Sequence, residues 1–113
     1  MKSILILFFI TSLSFSNLLM AAGATDNRFI NYIEVDADGS IIVQLSQNVS
    51  NPDHCQNANR IYISPNNVYI DRFYAAALAA YSNGKHVWAW VSVCQLMGWG
   101  EEYPRVVNFA IAN

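Results

Sequence analysis

The chain's patterning predicts a mainly β domain of the α+β class, with one helix between the third and fourth of five strands. Three observations carry this. Apolar and β-branched residues gather in short runs, several alternating at period two and parted by turn residues. A single stretch, Ile70 to Tyr81, instead repeats its apolar residues at three- and four-residue spacing. Two cysteines, Cys55 and Cys94, lie on either side of that stretch.

The first segment is read as an address. One positive charge at Lys2 precedes the apolar run Ile4 to Ile10, then a Ser/Thr-containing stretch, then Leu18-Leu19-Met20. Ala21-Ala22-Gly23-Ala24 follows, with Ala22 and Ala24 as the small-x-small pair that a signal peptidase admits. Residues 1–24 are therefore expected to be a cleaved signal peptide, leaving Thr25 first in a single domain, 25–113. A retained membrane anchor is the alternative. Thr11, Ser12, Ser14, Ser16 and Asn17 interrupt its apolar run and weaken a span. Export makes the protein secreted or periplasmic, with no stable membrane span after cleavage.

Residues 25–113 carry five basic and eight acidic side chains, a net charge of −3. Such a surface, without a basic stripe, argues against nucleic acid and against anionic membrane as partners. In an oxidising compartment the only two cysteines pair, so Cys55–Cys94 is expected as a disulfide. A domain this small gains from such a staple.

The elements follow in order. Phe29 to Val35 is a strand rich in β-branched and aromatic residues, ending at the turn Asp36-Ala37-Asp38-Gly39. Ser40 to Ser46 returns with Ile41, Val43 and Leu45 on one face, completing a hairpin. Residues 47–59 form a polar loop containing the sequon Asn48-Val49-Ser50, which marks surface. Arg60 to Ser64 is a short third strand, stopped by Pro65.

In the helix, Ile70, Phe73, Tyr74, Ala77, Leu78 and Tyr81 form the expected core stripe, with Asn67 or Asp71 as cap and Gly84 as stop. Ala75, Ala76, Ala79 and Ala80 fall on the other face. Two readings stand for these alanines: helix propensity alone, or a face packed at a subunit interface. Lys85 to Val93 alternates Val87, Ala89, Val91 and Val93 against Trp88 and Trp90, as a strand covered on both sides does. A loop, Gln95 to Pro104, precedes a last strand, Arg105 to Ala112, with Val107, Phe109 and Ile111 on one face. The order β-β-β-α-β-β is that of the OB-fold, a five-stranded barrel; a packed α+β sandwich is the alternative.

Catalytic motifs are not found. His54 sits beside Cys55, but adjacency in sequence does not place two side chains for catalysis; His86 stands next to Lys85 at a strand start, and no P-loop, GxGxxG, HExxH or CxxC is present. Asp36 and Asp38 lack the further oxygens of a calcium loop. A non-enzymatic protein without cofactor or metal is the expectation. Candidate binding residues are Trp99, Glu101, Glu102 and Tyr103, in a glycine-containing loop. Rings there can stack on sugar faces while carboxylates bond hydroxyls. They can equally serve a protein contact, or Trp99 can fold back over the disulfide as a core plug.

From Cys55 to Ile111 the chain runs through a short strand, then Phe73-Tyr74-Ala75-Ala76-Ala77-Leu78-Ala79-Ala80-Tyr81-Ser82-Asn83-Gly84-Lys85. A Val- and Trp-rich strand, Cys94 and an aromatic-Pro turn follow. This segment resembles small secreted bacterial proteins akin to the B subunits of subtilase cytotoxin and pertussis-like toxins. The resemblance spans 57 of 89 mature residues. It implies a disulfide-bonded OB-fold that assembles as a homopentamer and recognises sialylated host glycans, its helices lining a central pore. No sugar-binding residue aligns, so none is carried over. The alternative function is a periplasmic inhibitor or accessory protein that binds another protein as monomer or dimer. A small hydrolase is a third.

Overall fold

Two hairpins of the same construction organise the sheet. The computed structural model describes residues 21–113. Most of the expected signal peptide, residues 1–20, lies outside the described residues. In chain order the elements are β1 (Gly23–Ala24), β2 (Ile30–Val35), β3 (Ile41–Leu45), β4 (Arg60–Ile63), α1 (Ile70–Asn83), β5 (His86–Leu96) and β6 (Glu102–Ala112).

Between β2 and β3 the Asp36 N–H donates to Ser40 O and the Gly39 N–H to Asp36 O, each at 2.9 Å. Between β5 and β6 the Met97 N–H donates to Glu101 O at 2.8 Å and the Gly100 N–H to Met97 O at 2.9 Å. In each loop a glycine closes the turn at positive φ, +88° at Gly39 and +94° at Gly100, where a β-carbon would be strained. Asp38 reinforces the first turn by accepting from both the N–H and the hydroxyl of Ser40.

The strands form one six-stranded sheet in the order β1-β5-β6-β4-β3-β2. All pairings are antiparallel except β4 with β6, which is parallel. This corrects the expected five-stranded closed barrel. The extra strand, Gly23–Ala24, occupies the β5 edge opposite Val91 and Trp90. Beyond it a single antiparallel bridge, Arg28 with Val87, joins the segment before β2 to β5. One bridge is too little pairing to close a sheet, and the sheet is open.

Alternation decides which residues meet the helix. Ile41, Val43 and Leu45 of β3, Ile61 and Ile63 of β4, and Val87, Ala89 and Val91 of β5 bury together against Ala77 and Ala80. Ile61, Ile63, Val87, Ala77 and Ala80 have no exposed surface. Truncating one of these isoleucines to alanine is worth about 2–5 kcal/mol. The opposite face of β3 and β4 is also covered: Ile42 and Tyr62 pack with Met97 and Tyr103.

The helix is rotated from its expected setting. Phe73, Ala77 and Ala80 centre its buried stripe, whereas Leu78 and Tyr81 are 40% and 49% exposed. Ala80 therefore belongs to the core rather than to an outer interface, Ala76 is half-buried, and only Ala75 and Ala79 of the four alanines are exposed. The helix must admit the sheet closely, and small side chains at 77 and 80 permit that approach. Tyr69 precedes the helix without a side-chain cap, and Asn67 Oδ1 instead accepts the Tyr69 N–H at 2.9 Å. Gly84 ends it at φ +60°.

Half of the expected loop 95–104 is strand, with residues 97–101 as the hairpin tip. Cys94 pairs opposite Pro104, Gln95 opposite Tyr103 and Leu96 opposite Glu102. Proline is tolerated because β5 is irregular there: its register shifts between Val91 and Cys94. A further shift between Trp90 and Val91 sets Val91 opposite Val106 and Trp90 opposite Asn108, leaving Val107 as the additional residue. Val107, expected on one face with Phe109 and Ile111, is consequently exposed; Ile111, near the strand end, is exposed too, while Phe109 packs on the core near Phe73.

The disulfide Cys55–Cys94 is present, with an S–S distance of 2.01 Å. It fastens the 46–59 loop to the irregular part of β5. The Asn51 amide brackets Cys55, accepting its N–H at 2.9 Å and donating to its carbonyl. Asp53 accepts the N–H of Val93 at 2.7 Å, and Val93 itself stands at φ +64°, an unusual setting for a β-branched residue. Among the described residues no helix is long and apolar enough to cross a membrane.

Candidate functional site

Period-two alternation places Tyr32 and Glu34 of β2, Gln44 of β3 and Arg60 of β4 on the face away from the helix. The register puts Tyr32 opposite Gln44 and Gln44 opposite Arg60. The β5–β6 hairpin folds its tip onto that row, because Met97 and Tyr103 need cover from Ile42 and Tyr62. Trp99 and Glu101 thereby arrive beside Arg60, although 41 residues separate Arg60 from Glu101 in the chain.

Tyr103 is the hub. Its ring has no exposed surface, and its hydroxyl donates to Glu101 Oε2 at 2.6 Å. The Tyr103 hydroxyl oxygen in turn accepts from Arg60 Nη1 at 3.0 Å and from Trp99 Nε1 at 3.3 Å. Arg60 is held further by Nε donating to Gln44 Oε1 at 3.2 Å and by the rings of Tyr32 and Tyr103, at 5.9 and 5.8 Å. The Arg60–Glu101 ion pair is 3.4 Å long and partly exposed on both sides. Such a pair contributes only about 0.2–1 kcal/mol; its effect is to orient.

The electrostatics follow from that geometry. Burial, and then the hydrogen bond to Glu101, raises the Tyr103 phenol above its ordinary range. The Tyr103 hydroxyl bonded to the Arg60 guanidinium raises that group as well. Glu34 is raised chiefly by its hydrogen bond with Asp36, then by burial and by the Asp36 charge, against a lowering influence of Arg60. The face therefore offers fixed donors and acceptors around one ring, Trp99, that is 56% exposed.

Of the sequence candidates, Trp99, Glu101 and Tyr103 come together. Glu102 does not join them: it pairs opposite Leu96, and its carbonyl accepts the Asn57 N–H at 3.0 Å. Tyr103 shapes the site from beneath, since a ring without exposed surface cannot stack on a ligand. Trp99 does not plug the core over the disulfide; its indole N–H is turned to Tyr103. Arg60, Gln44, Tyr32 and Glu34 were missed by sequence reasoning. Alternation alone puts Gln44 and Arg60 on the face away from their buried neighbours Val43, Leu45 and Ile61, but only cross-strand register brings the four together.

His54 is exposed, at φ +53°. His86 lies against the Phe29 ring, with centroids 3.9 Å apart. Among the described residues no group of three or more His, Cys, Asp or Glu side chains is placed to hold a metal ion. Compared with protein-family models, curated proteins and solved structures, the chain matches none.

Proposed function

We propose that this protein is an exported, non-enzymatic binding module that recognises a glycan on the Trp99 face. The observation that carries the reading is the exposed indole fixed at a hairpin tip beside Glu101 and Arg60. An indole ring covers the apolar face of a pyranose, while carboxylate, guanidinium and amide groups bond hydroxyls in fixed directions. Rigid presentation limits the ordering cost on binding. Gly100 at positive φ and the Trp99–Tyr103 hydrogen bond both supply that rigidity.

An OB-fold-like relation and a homopentamer belong to the same reading. In its support, β4 and β6 pair in parallel, the helix lies between β4 and β5, and the Arg28–Val87 bridge spans the two sides of the sheet. The outward helix surface of Ala75, Leu78 and Ala79 is the part available to a neighbouring subunit. Removal of residues 1–24 would take away β1 (Gly23–Ala24), leaving five strands and Thr25 as the first residue, and N-terminal sequencing of exported protein tests that boundary. Its main-chain nitrogen could still donate to Ala89 O, and its Oγ1 could still accept the Ala89 N–H.

A glycan array that includes sialylated sugars, probed with the native protein and Trp99→Ala, tests the function. Hits that disappear in the variant support it; an array with no hits, or hits indifferent to Trp99, refutes it. Light scattering tests the assembly, since a monomer at high concentration is incompatible with a pentamer.

A further inference from the structure

A second site lies elsewhere, in a groove of about 430 Å³ where the turn before α1 meets the irregular part of β5 and β6. Its lining shares no residue with the Trp99 cluster. We propose that this groove binds the carboxylate of a small organic acid, with Arg105 as the counter-ion and an apolar body held by Val68, Tyr69 and Val107.

Charge is the first reason. Arg105 is the only charged residue in the lining, in a chain whose acidic residues outnumber its basic ones. The two ion pairs among the described residues use Arg28 and Arg60, and Arg105 enters neither. The carboxylate that reaches the groove's backbone, Asp53, is engaged by the Val93 N–H at 2.7 Å. Tyr69 of the lining also carries a cation on its ring, the Arg72 guanidinium at 5.9 Å. A guanidinium fork matches the two oxygens of a carboxylate in plane.

The walls select among anions. Asn67 and Ser92 add polar groups, but Val68 and Val107 stand 84% and 45% exposed. Exposed apolar walls around a single lined cation suit an acid with a hydrocarbon body. A phosphate dianion would require several donors converging on it. The volume also lies in the range of about 300–1,000 Å³ in which small ligands are commonly held. Val93, at φ +64°, forms part of the wall, so an uncommon backbone setting shapes the groove.

Benzoate is the probe, titrated into the isotopically labelled protein and followed by amide chemical shifts. Saturable shifts at Ser92, Val93 and Val107 are expected, with binding weakened about tenfold or more in Arg105→Gln and by less in Arg105→Lys, which keeps the charge but loses the fork. Acetate, without the apolar body, should bind more weakly, and inorganic phosphate should not displace benzoate. Trp99→Ala should leave the titration unchanged, which separates this site from the glycan reading. Unaltered dispersion of the remaining amides checks that the Arg105 variants stay folded. Absence of saturable shifts in the native protein overturns the proposal. So do shifts indifferent to Arg105→Gln, or equal competition by phosphate.

Discussion

Tyr103 donates its hydroxyl hydrogen to Glu101 at 2.6 Å, from a ring that is wholly buried, and thereby fixes a carboxylate at the protein surface. With Glu101 at the hairpin tip and Tyr103 two residues on in β6, the pair converts core packing into orientation at the site. The same hydroxyl accepts from Arg60 and Trp99, so one buried atom sets the positions of three surface groups.

Tyr103→Phe should therefore disturb the site more than its volume suggests. The ring stays, but Arg60 and Trp99 lose an acceptor and Glu101 a donor. A loss of about 1–3 kcal/mol in urea unfolding is expected, together with weaker glycan binding. A change below about 0.5 kcal/mol would mean that water replaces the hydroxyl at no cost.

Breaking Cys55–Cys94 should act mainly through the unfolded chain. The bridge spans 39 positions, and the chain-entropy relation gives about 4 kcal/mol for a loop of that length. Changing both cysteines to serine should lower stability by a few kcal/mol, and strong reductant should lower the melting temperature of the native protein. An unchanged Tm under reductant would show that the loop is held by Asn51 and Asp53 without the bridge.

Val93 and Val91 offer a contrast between backbone and packing. Val93 stands at φ +64°, a conformation that costs a β-branched residue about 1–3 kcal/mol and glycine little. Val91 is buried in the core, at 1% exposure. Val93→Gly should be near neutral or stabilising, whereas Val91→Gly should cost about 2–4 kcal/mol. Equal losses in denaturant titrations would show that Val93 contributes packing that outweighs its strain.

Glu34 makes stability depend on pH in a defined direction. Its hydrogen bond with Asp36 is the main reason that its folded value is raised, so the folded state binds the proton more tightly than the unfolded chain does. That contribution is complete below the ordinary glutamate range, near about 4.3, and is lost as pH rises through the raised value. Glu34→Gln cannot ionise and should gain relative to the native protein between acid and neutral pH. Urea titrations at several pH values measure the difference. A difference independent of pH, or of opposite slope, would exclude this linkage.

Local chemistry in the sequence accounts for much of the fold. The alternation of Ile41, Val43 and Leu45, the turn glycine at 39, the helix stop at Gly84 and the pairing of two cysteines each depend on neighbours or parity, so they can be read along the chain. Helix rotation was less legible. Leu78 and Ala80 exchange their expected environments because the sheet's close approach selects small residues, which hydrophobicity alone does not register.

The remaining features depend on register between distant strands. Two shifts in β5 send Val107 outward and admit Pro104 into a strand. Gly23–Ala24 adds a sixth strand on an edge that no local pattern announces. Of the site, the sequence by itself determined that Trp99, Glu101 and Tyr103 stand close together, and it suggested their binding chemistry. Only the tertiary structure decided that Arg60 joins them, that Glu102 does not, and that Tyr103 lies beneath the surface. Strand alternation separates adjacent residues onto opposite faces, while pairing across 41 positions brings a guanidinium to a carboxylate.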